Sequence, residues 1–336
     1  MTWLVNWRLK MSNGRTLAMS ESEEIVGRPA VFAPFSLGVL KAAQTHDELV
    51  LLTADLGKYT DTADFRGKYA SRFFNVGMAE QSLVMTAAGL SKAGKVAYCT
   101  TYGTFATRRA YDFLAIACAH SNENVKMFAG NPGLTSGYGG THQANEDLAL
   151  MRSIPNMTVI DPCDATEMAQ VAEAAADIPG TLYCRLLRAN VAVVLDPDTY
   201  RFQIGKGHVI GQGGQVGFVS TGTMTECAID ASRHFERMGV RSSVFHSPCI
   251  KPFDAAGLLR FAQSVDRLVV CENHAITGGL SSLVIEALQD AGLTRRLLKI
   301  GIPDKFTECG SMQYLREQYG LTTGGIIERV NAWMAS

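Results

Sequence analysis

Several polar and aromatic residues stand at or just after the ends of apolar, strand-like segments of this 336-residue sequence. Asp55 ends the first such segment, Tyr102 and Phe105 follow the second, and Arg188 follows the last of the first series. In open parallel sheets, ligands collect at the carboxyl ends of the strands. We therefore expect these side chains to converge on one binding site.

Glu80 is the strongest single candidate for acid–base chemistry. It stands near the start of a predicted helix, Met78–Lys92, and Val84 and Ala87 share its face of that helix. Apolar neighbours favour the protonated carboxyl, whereas the helix N-terminus favours the ionised one. If desolvation dominates, Glu80 can hold or share a proton near neutral pH. A solvated carboxylate that only compensates the helix dipole is the alternative.

The loop Asn131–His142, which follows the third strand-like segment, is rich in glycine (Gly133, Gly137, Gly139 and Gly140). Glycines let the backbone approach a ligand closely, although this pattern is neither a Walker loop nor a dinucleotide fingerprint. His142 is a candidate catalytic residue, with a structural role as the alternative. Arg108 and Arg109 are interpreted as solvated or capping residues.

The composition excludes several classes of function. Hydrophobic residues make up 47% of the chain and charged residues 19%, which excludes disorder of the whole chain and supplies enough apolar material for two cores. The formal net charge of -1 provides no basic field for nucleic acid or for an anionic membrane. No apolar stretch approaches the roughly 18 residues of a membrane span, and the N-terminus lacks a signal-peptide pattern. We therefore expect no nucleic-acid or membrane partner.

The eight cysteines are scattered and form no C-x-x-C pair. This spacing argues against a disulfide framework and against structural zinc, so no metal site is predicted in this chain. Most of the cysteines lie in apolar runs, where a thiol behaves as a small hydrophobe. We expect a reducing, cytoplasmic location.

Apolar strand-like runs alternate with helical segments, which predicts an α/β fold with two domains built on mostly parallel sheets. The first series has predicted strands at Glu48–Asp55, Lys95–Thr101, Val125–Gly130, Met157–Ile160 and Thr181–Leu186, and predicted helices that include Met78–Lys92 and Arg108–Ala119. The polar stretch Asp196–Lys206 is interpreted as a linker to a second α/β series. The predicted organisation is an N-terminal extension over 1–28 and domains over 29–195 and 207–336.

Taken together, these segments resemble the transketolase superfamily of thiamine-diphosphate enzymes. Asn75–Gln81 (NVGMAEQ) is similar to the glutamate motif of the family, and Thr101–Asp112 (TYGTFATRRAYD) to its aromatic segment. Further similar segments are Gly139–Gln143, Glu146–Pro155, Thr158–Asp164, Arg185–Arg188, Glu272–Gly279 and Gly301–Asp304. The resemblance implies a pyrimidine-binding domain followed by a transketolase C-terminal domain.

The resemblance implies a role for each candidate residue on the cofactor side. Glu80 would hydrogen-bond the ring nitrogen of the cofactor's aminopyrimidine and so activate the thiazolium carbon, while the cofactor supplies the carbanion chemistry. Phe105 would stack on the pyrimidine, Tyr102 would line the same pocket, and Asp55 would lie near the pyrimidine amino group.

On the substrate side, the resemblance implies that His142 faces a hydroxyl or carbonyl oxygen of the substrate and that Arg188 reaches the distal end of a sugar phosphate. Three positions depart from standard transketolases, which have histidine in place of Gly130 and Glu-Asp in place of Gly137-Tyr138. Loss of these polar groups, with the bulk of Tyr138 in their place, predicts a nonstandard ketose. Split transketolases of the apulose-4-phosphate type are one possibility within the family.

The sequence contains no G-D-G motif, which in full-length transketolases belongs to the part that binds magnesium and the diphosphate. Because a diphosphate needs a cation and backbone donors, the chain resembles the C-terminal subunit of a split enzyme. The implied partner is a second subunit that carries the G-D-G…N motif and most of the Mg²⁺ site, in a heterotetramer of two plus two subunits.

There are three alternatives to this function. A relative that decarboxylates a 2-oxo acid, such as a deoxyxylulose-phosphate synthase or a dehydrogenase beta subunit, is supported locally by Arg108–Asp112 (RRAYD). A non-catalytic structural subunit would have no chemical need for Glu80, Phe105 and His142 together. A nicotinamide-dependent oxidoreductase is disfavoured because Gly57-Lys58-Tyr59 after the first strand is no glycine fingerprint.

Overall fold

The computed structural model describes residue 25 and residues 27–336, so the predicted extension over 1–28 lies almost entirely outside the described residues. The strands are β1 (Ala30–Phe32), β2 (Leu49–Thr53), β3 (Phe73–Asn75), β4 (Val96–Tyr102), β5 (Val125–Gly130), β6 (Thr158–Ile160), β7 (Leu182–Arg185), β8 (Asn190–Ala192), β9 (His208–Ile210), β10 (Gly214–Ser220), β11 (Ser242–His246), β12 (Cys249–Lys251), β13 (Val265–Ala275) and β14 (Arg296–Ile302).

The α-helices are α1 (Pro34–Ala42), α2 (Ala63–Lys68), α3 (Glu80–Lys92), α4 (Gly103–Arg108), α5 (Tyr111–Phe113), α6 (Asp147–Ser153), α7 (Ala165–Ala174), α8 (Met224–Arg237), α9 (Ala255–Gln263), α10 (Leu280–Asp290), α11 (Met312–Gln318) and α12 (Thr323–Ala335). A π-helix spans Leu114–His120, and short 3₁₀ turns span Gly57–Tyr59, Ala70–Arg72 and Gly139–Thr141. Within the described part of the chain, no helix is long and apolar enough to cross a membrane.

Two mostly parallel sheets organise these elements, which confirms the predicted α/β class. The first sheet has the order β12-β6-β7-β5-β4-β2-β3, and the second has the order β14-β13-β10-β11-β9. Only the pairs β12–β6 and β11–β9 in these sheets are antiparallel among the described residues. β2, β4 and β5 are buried along their whole length, as expected of parallel strands covered by helices on both faces.

The predicted helix Arg108–Ala119 is wrong in its start and in its continuity. The chain turns directly from β4 into α4 at Gly103, and the Thr107 hydroxyl donates to the Gly103 carbonyl at 2.8 Å. A break at Arg109 and Ala110 then precedes α5 and the π-helix. The segment before the break was missed because glycine and threonine are weak helix formers and show no helical apolar period there.

The two halves of the chain are joined by a buried polar cluster around Arg185. Its guanidinium bonds Asp147 at 2.5 and 2.9 Å, Asp161 at 3.2 Å, and the Asn273 carbonyl of the second half at 3.1 Å. Burial opposes ionisation of Asp147, but Arg185 holds its pKa below the usual range. Burial raises the pKa of Asp161 to about 6 in spite of the same arginine.

A second buried cluster at this junction contains Cys163, Glu167 and His246, whose potential metal-ligand atoms lie within 4.8 Å of one another. The Glu167 carboxylate accepts hydrogen bonds from the His246 ring at 2.9 Å, from the Cys163 backbone N–H at 2.8 Å, and from the Tyr200 hydroxyl. The carboxylate therefore has its donors within the protein. Tyr200 lies in the predicted linker, so this cluster also fixes the linker to the first half.

We predict that Arg185→Leu destabilises the protein by about 3–5 kcal/mol, because it leaves two carboxylates buried without their cation. Denaturant unfolding followed by circular dichroism measures this change. The matched control is Arg201→Leu, since Arg201 is exposed and bonds only backbone carbonyls among the described contacts. A loss for Arg185→Leu no larger than that of the control would contradict a stabilising role of the cluster.

Candidate functional site

The carboxyl ends of neighbouring strands bring the predicted site residues to one edge of the first sheet. Tyr102 ends β4 opposite Gly130, the last residue of β5, so the segments that follow them start side by side. A Cβ atom at position 130 would lie 3.3 Å from Cδ1 of the Tyr102 ring. Because glycine has no Cβ atom, the Tyr102 ring can occupy this space.

Glu80 is the first residue of α3 and is buried, with 4% of its surface exposed. One of its carboxylate oxygens accepts a hydrogen bond from Arg109 Nη1 at 3.0 Å. The Arg109 guanidinium also lies over the Phe105 ring, 4.0 Å from its centroid. Glu80 is therefore paired rather than solvated, and Arg109 joins it to the aromatic residue.

Arg109, which the sequence predicts to be solvated or capping, contacts two of the predicted site residues, although its side chain is 51% exposed. The available signal was spacing, since residues i and i+4 of a helix share a face and Arg109 is four residues after Phe105. The contact with Glu80 gave no such signal, because 29 residues separate the two in the chain.

The predicted aromatic residues and His142 form one cluster. The Phe105 ring centroid lies 5.7 Å from that of Tyr102 and 5.4 Å from that of His142. His142 in turn lies 5.5 Å from the Tyr138 ring, and its Nδ1 is 2.9 Å from the Thr141 hydroxyl. The structure therefore brings together four of the predicted residues from two segments of the chain.

Burial lowers the pKa of His142, and the positive charge of Arg109 lowers it further. Both causes favour the neutral imidazole at physiological pH. A neutral imidazole has one donor and one acceptor nitrogen, so His142 can accept or donate a hydrogen bond. This suits a residue that faces a hydroxyl or a carbonyl oxygen.

Arg188 lies beside Asn131, a residue that the sequence analysis did not single out. Its Nε and Nη2 donate to Asn131 Oδ1 at 3.3 and 3.2 Å. Because arginine is only a donor, this contact fixes the orientation of the Asn131 amide. Among the described residues, Asn131 Nδ2 and the Tyr102 hydroxyl have no partner at full hydrogen-bond geometry, although the residues are 2% and 0% exposed. Burial raises the pKa of Tyr102 and the Asn131 side chain opposes this rise, so the two donors lie close together and can share an external acceptor.

Asp55 is exposed and does not contact the Glu80 pair among the described contacts. Its carboxylate accepts from Asn75 Nδ2 at 2.8 Å, and its backbone N–H donates to Asn75 Oδ1 at 3.0 Å. The residue adopts a left-handed backbone conformation, with φ of 58°. Its predicted place near a pyrimidine amino group stays a prediction.

A loop from the second half of the chain, residues 303–310, packs against the loop 131–142. The Gly310 N–H donates to the Gly137 carbonyl at 3.1 Å, and the Thr307 hydroxyl bonds Gln143. Phe306, which is 85% exposed, lies against Gly140, where a Cβ atom would be 3.2 Å from its ring. Sequence reasoning missed this contribution because the two loops are far apart in the chain.

Both halves of the chain match known protein families. The transketolase pyrimidine-binding domain matches residues 30–193, and the transketolase C-terminal domain matches residues 205–326. The chain belongs to the transketolase family, which confirms the resemblance seen in the sequence. The family therefore implies dependence on thiamine diphosphate.

Relatives narrow this class further. A transketolase family protein of Sinorhizobium fredii is 41% identical over 321 residues, which cover 95% of this chain and 93% of that protein. The 6-deoxy-6-sulfo-D-fructose transketolase subunit of a Clostridium species is 34% identical over 290 residues, which cover 86% and 89% of the two chains. A solved structure described as a split gene transketolase, inactive β4 tetramer, has a TM-score of 0.82 at 36% identity and covers 91% and 98%.

The residues present fit an aminopyrimidine ring. Such a ring needs a flat apolar surface on one face and an acceptor for its nitrogen-bound protons. The guanidinium of Arg109 is likewise flat and carries N–H donors, and it uses the Phe105 face and the Glu80 carboxylate in this way. The same two side chains can therefore hold the pyrimidine part of the cofactor.

We predict that Arg109→Gln raises the pKa of His142 in the unliganded protein, because it removes one of the two causes that depress this pKa. Burial remains, so the value should stay below the ordinary 6.5. Nuclear magnetic resonance titration of the histidine ring, assigned with His142→Asn, measures the change. Arg66→Gln, at an arginine near the Phe73 ring, is the control. Equal His142 titration curves in the unaltered protein, Arg109→Gln and Arg66→Gln would contradict the prediction.

Proposed function

We propose that this protein is the C-terminal subunit of a thiamine-diphosphate-dependent transketolase that transfers a two-carbon ketol unit between sugar substrates. The observation that carries the proposal is the buried Glu80 carboxylate, which Arg109 joins to the Phe105 ring in a pyrimidine-binding domain. A bound cofactor would supply the carbanion chemistry, and the protein would supply position and protons. Such a reaction would belong to carbohydrate metabolism.

In this proposal, Glu80 would hydrogen-bond the pyrimidine ring nitrogen and share a proton with it. Its burial removes competing water, which strengthens the hydrogen bond it can make there. Phe105 and Tyr102 hold the ring, and Asp55 is assigned to the neighbourhood of the pyrimidine amino group. His142 donates to, or accepts from, an oxygen of the substrate near the reacting carbon.

A partner subunit with a G-D-G…N motif is proposed to bind Mg²⁺ and the diphosphate. Two kinds of finding support it. The chain itself contains no G-D-G motif. Its relatives include a protein described as a transketolase subunit and a split gene transketolase described as an inactive tetramer of β subunits. We propose a heterotetramer of two plus two subunits in the cytoplasm, consistent with the free cysteines of the described chain.

The substrate is proposed to be a ketose with a modified distal end. Arg188 would face an anionic group there, and Asn131 Nδ2 and the Tyr102 hydroxyl would donate to its oxygens. Tyr138 would narrow the channel next to His142. The Clostridium relative is described as acting on 6-deoxy-6-sulfo-D-fructose, so a terminal sulfonate or phosphate fits this class. An apulose-4-phosphate-type sugar belongs to the same class.

The alternative of a 2-oxo-acid-decarboxylating enzyme has weaker support. The chain also matches 1-deoxy-D-xylulose-5-phosphate synthases, but it spans about half of their length. Release of carbon dioxide from pyruvate by the complex with the partner would favour this alternative. Release of a shortened aldose from a ketose phosphate or ketose sulfonate would favour the transketolase.

We predict that Glu80→Gln lowers turnover of the reconstituted complex by roughly 100- to 10,000-fold, because glutamine cannot exchange a proton with the pyrimidine ring nitrogen. The assay is coupled detection of the aldose product after co-expression with a partner that carries G-D-G…N. Glu173→Gln is the matched control, since this carboxylate forms a surface pair with Lys41. Unchanged turnover in Glu80→Gln would indicate a non-catalytic structural subunit instead.

We predict that Asn131→Asp lowers kcat/KM for a ketose with an anionic end by about 10- to 100-fold, mainly through KM. The change removes a buried donor and adds a negative charge near the distal group. With hydroxypyruvate and glycolaldehyde, which lack that group, the effect should stay within about twofold. Asn156→Asp, at another asparagine with positive φ, is the control. Equal losses for both kinds of substrate would exclude a specificity role.

A further inference from the structure

Arg109 uses both groups that a pyrimidine ring would need. It donates to Glu80 Oε1 at 3.0 Å and covers the Phe105 ring at 4.0 Å. The other contacts of that ring are with Tyr102, tilted by 40°, and with His142, edge-on at 68°. The face on which the guanidinium lies is therefore the one that is seen to accept a flat group.

Two flat groups in van der Waals contact cannot share one ring face. The distance of 4.0 Å between the guanidinium carbon and the Phe105 centroid already corresponds to direct contact. The carboxylate oxygen that accepts from Arg109 is likewise engaged. Binding of the pyrimidine and this position of Arg109 therefore compete.

Arg109 can leave, whereas Glu80 cannot. The arginine follows the last residue of α4 and is 51% exposed, so its side chain can turn into solvent without repacking of the core. Glu80 is buried at the start of α3. Without the arginine or a ligand, this carboxylate would lack an ionic partner, which is unfavourable for a buried charge.

We propose that Arg109 is a placeholder for the aminopyrimidine of thiamine diphosphate: it pairs with Glu80 and covers Phe105 in the empty subunit, and the cofactor displaces it. This inference rests on the proposed function, because it assumes that the pocket receives this cofactor. Arg109 is then a positioning residue that keeps the carboxylate and the ring in place before the cofactor arrives. Arg109 also weakens the binding of the cofactor, since its contacts must first be broken.

The test is the dissociation constant of thiamine diphosphate for the complex with the partner subunit, measured by calorimetry with excess Mg²⁺. Arg109→Ala should bind about 3- to 30-fold more tightly than the unaltered protein, since an ion pair and a cation–π contact no longer compete. Arg109→Gln, which keeps a donor but neither the charge nor the stacking, should lie between them. Arg66→Gln is the matched control, because Arg66 lies near another phenylalanine ring away from the site.

A second readout is thermal stability. Arg109→Ala should lower Tm of the cofactor-free chain, because Glu80 loses its partner, and should enlarge the rise in Tm that the cofactor produces in the complex. An arginine that stays in place beside the cofactor predicts the opposite, namely weaker binding and a smaller rise. Unchanged or weaker binding by Arg109→Ala would overturn the placeholder role.

If the proposed function is wrong, the binding experiment gives a different result from the one expected if only the placeholder role is wrong. If neither the unaltered complex nor any variant binds thiamine diphosphate, the assignment of the pocket is wrong. If the unaltered complex binds it and turns over a ketose, but Arg109→Ala binds it no more tightly, only the placeholder is refuted. A structure of the loaded complex with Arg109 Nη1 still within hydrogen-bond distance of Glu80 Oε1 would refute it as well.

Discussion

A carboxylate held away from water and joined through an arginine to an aromatic ring is the constraint on which the proposed chemistry depends. Burial of Glu80 concentrates its hydrogen-bonding capacity on one neighbour, and in this structure that neighbour is Arg109. The position of Glu80 at the start of α3 ties this carboxylate to the backbone of a helix packed on the first sheet. In the site, Glu80 is therefore held in a fixed position, whereas the Arg109 side chain is free to move.

The rest of the site depends on the sheet and on the second half of the chain. Parallel strands place Tyr102 and Asn131 next to each other, and Arg188 orients the asparagine amide. The loop that contains Phe306 holds the loop 131–142 from the other side. The second half thus contributes to the shape of the site without supplying the residues to which the proposed chemistry is assigned.

Much of this arrangement could be predicted from the sequence. Apolar runs of strand length identified β2, β4 and β5, and the rule that ligands collect at carboxyl ends grouped Tyr102 with Phe105. The contacts of Glu80 with Arg109 and of Arg188 with Asn131 could not be predicted, because they join segments whose distance depends on tertiary packing. The helix after β4 was misplaced since its residues carry no apolar period.

One strand of the first sheet comes from the second half of the chain. β12 pairs with β6 at the edge of that sheet, although the linker over 196–206 lies between them in the sequence. A nick in the linker would therefore leave two fragments that remain interleaved. Domain exchange between relatives at this linker would replace a native edge strand with a foreign one, so the halves are constrained to evolve as a matched pair.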